Sequence, residues 1–146
     1  GHGAAWQEMT GSTMSTSRSP AASTASNDWS DLFPARPDAP PLRIVLHAPT
    51  PGALARARSN LANLRQDRPG AEVRIVINGP AVEALLDAAP GTPQHLDADA
   101  LAHALVCPNT LRKLGREAPA GMRVLPQGGI ESLALLQQSA WCYVRC

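Results

Sequence analysis

The stretch His103-Ala104-Leu105-Val106-Cys107-Pro108-Asn109-Thr110-Leu111-Arg112-Lys113-Leu114-Gly115 decides how the chain is read. Ala104, Leu105 and Val106 form a short apolar run without helical period, as expected of a strand covered on both faces. Pro108 has its φ preset and lacks an N–H, so it suits the first position of a helix. Cys107 is then the N-cap. The free amides and the positive end of the helix dipole lie beside its sulfur, which favours the thiolate. Gly115 closes the helix, and Arg112 and Lys113 sit in its last turn, where cations are favoured. A plainer reading stands beside this one: a free cysteine is commonly just a small buried hydrophobe.

Working outward, the same alternation recurs. Leu42 to His47 is an apolar, β-branched run that predicts a central strand. Thr50 and Pro51 form a helix-start signature, and Leu54, Ala57, Leu61 and Leu64 recur at helical spacing until Pro69-Gly70. Glu72 to Ile77 predicts a second strand, ending in Asn78-Gly79-Pro80, and a short helix follows with Val82, Leu85 and Leu86. Asp97 and Asp99 mark a turn or short helix before the Cys107 strand. Met122 to Leu125 predicts a fourth strand. Gln127-Gly128-Gly129 leads into a helix with Ile130, Leu133 and Leu136 near one face, and Trp141 to Cys146 alternates as a fifth strand. Strand and helix in regular succession imply an α/β fold, a parallel five-stranded sheet with helices on both sides.

Residues 1–40 differ in kind. They are rich in Ser, Thr, Ala, Gly and Pro, and predict a disordered or extended tail before a domain over residues 41–146. Within the tail, Asn27 to Phe33 predicts one helical turn with Trp29, Leu32 and Phe33 together, and Pro34, Pro37, Pro40 and Pro41 make an extended linker. The chain of 146 residues does not begin with Met. Gly1-His2-Gly3 reads as an expression remnant, with Met9 or Met14 as candidate starts.

A net charge of +1 and the lack of a basic stripe argue against direct nucleic-acid binding. No apolar run approaches the roughly 20 residues of a membrane span, and no secretory signal pattern is present. The three cysteines, Cys107, Cys142 and Cys146, do not make a disulfide framework. Cys142 and Cys146 lie about 13 Å apart along one strand, beyond the roughly 7 Å that a disulfide spans. Reduced thiols in the cytoplasm are the expected state.

In an open parallel sheet, ligands gather beyond the carboxyl ends of the strands. Those ends are His47, Asn78-Gly79, Cys107 and the turn with Gly128 and Gly129. His47 is a candidate proton partner for the thiolate, or simply a strand-end histidine bonded to backbone. Asn78 is a candidate hydrogen-bonding group, and the amides after Pro108, those of Asn109 and Thr110, are candidate donors to the sulfur. Gly128-Gly129 opens a helix that suits an anion. No paired metal-ligand spacing joins His47, His95, His103 and Cys107, so no metal is expected. Neither G-x-G-x-x-G, G-x-S-x-G nor C-x-x-C occurs, and no cofactor is expected.

The segments RIVLHA (43–48), VRIVINGPAVEALL (73–86), ALVCPNTLRKLG (104–115) and GMRVLPQGGIESLALLQQSAWCYVRC (121–146) together resemble the DsrE/DsrF-like family of small sulfur-relay and related proteins. The resemblance covers about residues 42–146. It implies a flavodoxin-like three-layer α/β/α sandwich and assembly as a trimer or hexamer. It also implies a cysteine at the Cys107 position that carries a persulfide between sulfur donor and acceptor proteins. The leading expectation is therefore a sulfur carrier. Two alternatives are a non-catalytic oligomeric module whose rim holds a small ligand or partner, and a redox sensor pairing Cys107 with a neighbouring subunit's cysteine. On the first reading Cys107 is partly accessible, Cys142 is packed on the fifth strand, and Cys146 is exposed.

Overall fold

The structure, a computed structural model, describes residues 28–146, so what the sequence predicts for residues 1–27 lies outside the described residues. The chain divides into one unit ending at Ala39 and a second running Pro40–Cys146. In the first, the amides of Leu32 and Phe33 donate to the Trp29 carbonyl at 3.0 and 2.8 Å. The Asp28 carboxylate accepts from the Ser30 amide and hydroxyl. Trp29, Leu32 and Phe33 are exposed on this single turn.

The second unit is a three-layer α/β/α sandwich of flavodoxin-like class. Its elements follow the order β1 (Arg43–Ala48), α1 (Pro51–Asp67), β2 (Glu72–Ile77), α2 (Pro80–Asp87), α3 (Ala98–Leu101), β3 (Ala104–Val106), α4 (Pro108–Leu114), β4 (Arg123–Val124), α5 (Gly129–Gln138) and β5 (Cys142–Arg145). The five strands are all parallel, in the spatial order β4-β3-β2-β1-β5. From β1 the chain steps outward to β4, then returns across the sheet to place β5 on the far side of β1. This differs from flavodoxin's own 2-1-3-4-5 order.

Strand alternation sorts the core into two layers. Ile44, Leu46, Ile75, Ile77, Ala104 and Val106 face Leu54 and Leu61 of α1, Val82 and Leu85 of α2, and Leu111 of α4. Val45, Val76 and Leu105 point the other way, onto Leu133 and Leu136 of α5 and onto Trp141. Two guanidiniums lie over the Trp141 ring, Arg43 at 4.4 Å and Arg74 at 6.0 Å from its centroid, near enough for cation–π attraction. The fourth strand is shorter than the sequence predicts. Met122 is taken up by a turn in which its amide bonds the Pro119 carbonyl. Ile130 does not join Leu133 on the sheet but is 69% exposed, because it lies in the first turn of α5, at the rim.

The helix starts follow local chemistry. The Thr50 hydroxyl caps α1 by accepting from the Ala53 amide at 3.1 Å, and the Asp97 carboxylate caps α3 through Ala100 at 2.8 Å. Thr50→Ala is expected to cost about 1 kcal/mol, as N-cap losses do. A denaturant midpoint lowered at unchanged slope is the measurement that checks it.

Candidate functional site

Adjacent strands whose following helices lie on opposite faces open a crevice at their carboxyl ends, where α/β proteins bind ligands. Here β3 leads into α4 on one face and β4 into α5 on the other. Cys107 stands at that switch point. It is the N-cap of α4, in extended conformation, with Pro108 following.

The sulfur lies between two helix starts. The Gly129 amide, first in α5, donates to Sγ at 3.3 Å. The amides of Thr110 and Asn109 and the Thr110 hydroxyl are the polar groups of α4 that favour the sulfur's charged form. Burial pushes the thiol up, but the Thr110 and Gly129 amides, the Thr110 hydroxyl and the Asn109 amide outweigh it. The thiol is held below its ordinary range. A thiolate gains from such donors because they complement negative charge and not the neutral S–H.

Asn78, Gly79, Gly128 and the Thr110 hydroxyl complete the rim. The Thr110 oxygen accepts from the Gly79 amide at 3.3 Å, tying the end of β2 to the start of α4. The glycine pair permits close approach. A Cβ on Gly129 would sit 3.2 Å from the Asn78 Cβ, and one on Gly128 would sit 2.7 Å from the Asn109 side-chain nitrogen. Asn109 also bonds Arg112 through its side-chain oxygen.

His47 is buried at the end of β1 and is bonded to side chains, not to backbone. Its Nε2 lies 2.9 Å from the Asn78 Oδ1, and its Nδ1 lies 2.6 Å from the Tyr143 hydroxyl. A carboxamide oxygen only accepts, so Nε2 carries the proton and Nδ1 accepts from Tyr143. His47 therefore reaches the thiol's surroundings through Asn78, which packs against Gly129, and forms no hydrogen bond to Cys107. Tyr143 is absent from the sequence-based set. Its alternation with Cys142 and Val144 was visible, but its neighbour depended on β5 pairing with β1.

Two expectations about the thiols need correction. Cys107 is 5% exposed, more enclosed than the sequence suggests, because the Gly128–Gly129 turn closes over it to donate. Cys142 is exposed and Cys146 half-buried, the reverse of expectation. Cys146 packs at the edge of the core, and its sulfur accepts from the Asn60 side chain at 3.6 Å. A cavity of about 520 Å³ beside the β4 edge is lined by Pro108, Leu111, Arg112, Met122 and Val124 but does not include Cys107. The chemistry points to the thiol and not to that hollow.

Among the described residues, no three His, Cys, Asp or Glu side chains converge as a metal set, and no helix is long and apolar enough to cross a membrane. No family model matches the chain, and no curated protein matches it.

Proposed function

We propose that the protein is a sulfur carrier of the DsrE/DsrF-like kind, with Cys107 accepting a sulfane sulfur and passing it to a partner. The observation that carries this reading is the place of the Cys107 sulfur between two helix starts, as the N-cap of α4 and accepting from the first amide of α5 at 3.3 Å. The Cys107 thiolate attacks the outer sulfur of a donor persulfide. A new S–S bond forms, the old one breaks, and the donor leaves as a thiolate. An acceptor thiolate then attacks the outer sulfur now on Cys107, and Cys107 leaves as the thiolate it began as. No net oxidation occurs. Low thiol pKa serves the second step above all, since it makes Cys107 a good leaving group. The donors that steady the thiolate also steady the persulfide anion. His47 and Asn78 hold the wall of the site, and Gly79, Asn109, Gly128 and Gly129 shape its backbone.

The enclosure of the same sulfur favours a second reading, a module that binds a small anion or a partner at this rim without reacting. The two part in one experiment. Incubation with a low-molecular-weight persulfide donor, followed by intact mass measurement, is expected to add one sulfur atom to the wild type and none to Cys107→Ser. Equal gain in both, or gain in neither, overturns the carrier reading.

A further inference from the structure

We propose that β5 is an edge for self-pairing: two copies join their β5 strands antiparallel about Val144, placing Cys142 of each opposite Cys146 of the other. The sheet has two edges. β4 is two residues long, whereas β5 has four, all exposed. β5 contains no Pro or bulge, and Arg145 is its one charged side chain.

Hydrogen-bond phase sets the register. The Cys146 amide donates inward to the His47 carbonyl of β1 at 2.9 Å. Because backbone direction alternates along a strand, the amides and carbonyls of Tyr143 and Arg145 point outward, away from β1. An antiparallel partner can bond these groups in few ways. Centring on Arg145 sets two like charges opposite each other. Centring on Tyr143 calls on Trp141, whose amide is already bonded to Leu136. Centring on Val144 makes Tyr143 and Arg145 reciprocal bonded partners, using every outward group and placing an arginine against a tyrosine ring. Cys142 and Cys146 then fall opposite one another in the non-hydrogen-bonded positions. There Cα atoms are about 4.5 Å apart, inside the roughly 4.4–6.8 Å range of disulfides.

The neighbouring helix agrees in charge. Asn60, Asn63 and Asp67 of α1 line a hollow of about 340 Å³ beside Val144, which is 44% exposed. Arg56 stands one turn before Asn60 on the same stripe. A two-fold axis reverses the second stripe, so Arg56 of each copy faces the Asp67 end of the other. Among the described residues, neither forms an ion pair. A two-fold contact of this kind closes on itself and fits a dimer or the two-fold of a hexamer.

Diamide, an azo oxidant that takes two electrons and two protons from a pair of thiols, reads the register. The wild type should give a covalent dimer containing a Cys142–Cys146 link, identified by peptide mass. Cys142→Ser alone and Cys146→Ser alone should give none, and an equal mixture of the two variants should regain it. A dimer from Cys146→Ser alone, or none from the mixture, overturns the register. Arg145→Pro removes an outward amide and leaves the inward ladder intact. It should remain folded by circular dichroism and sediment as a smaller species than the wild type at equal micromolar concentration. Unchanged sedimentation, or a monomeric wild type, overturns the edge pairing itself.

Discussion

Gly79→Ala is expected to lower the stability of the domain by about 1–3 kcal/mol, the cost of holding a side chain in a backbone region open almost only to glycine. Gly79 sits at φ 57°, ψ −148° as the N-cap of α2. A Cβ there would also lie 3.1 Å from the Pro49 carbonyl oxygen, which is backbone and yields little. The same amide donates to the Thr110 hydroxyl, so the strain is transmitted to a group that favours the Cys107 thiolate. Chemical denaturation reports the loss as a lower midpoint at unchanged slope. A midpoint equal to that of the wild type would mean that the turn relaxes freely.

Thr110→Val is expected to raise the Cys107 pKa. The substitution keeps the shape and removes the oxygen. The sulfur loses a polar group that favours its charged form, so the shift is upward and the thiolate fraction at a given pH falls. The half-buried Gly79 amide loses its acceptor as well, a smaller stability cost than for a fully buried donor. Thr110→Ser retains the hydroxyl and should keep the thiol low. If valine and serine variants titrate alike, the hydroxyl does not hold the thiolate.

How far the site was legible depends on sequence distance. The strand, N-cap and helix across Ala104–Leu114 follow from Pro108, Gly115 and the apolar run, all local signals. The polar groups of Asn109 and Thr110 that favour the thiolate follow from the same helix start. Gly129 is 22 residues from Cys107, and its amide reaches the sulfur only because the chain crosses to the other face after β4. Glycines before a helix announce a close approach without saying to what. Tyr143 and His47 are 96 residues apart, brought together by the return of β5 to the side of β1, which strand alternation does not specify. The misjudged thiols share that cause. Whether Cys142 or Cys146 is covered depends on where α1 lies over the edge, and α1 reaches Cys146 through Asn60.

The enclosure of Cys107 has a kinetic consequence distinct from its pKa. Donation from Gly129 both stabilises the thiolate and blocks approach to it. Reagent size therefore scales the rate of modification, while pH sets the thiolate fraction on which that rate depends. A small alkylating agent separates the two effects, because its access is the same at every pH. The most direct measurement is thus the rate of iodoacetamide modification of each cysteine from pH 5 to 10, read site by site by mass spectrometry. Cys107 should titrate with a midpoint below the ordinary value of about 8.5, and Thr110→Val should move that midpoint upward. A Cys107 midpoint at or above about 8.5 would contradict a thiolate held between the starts of α4 and α5.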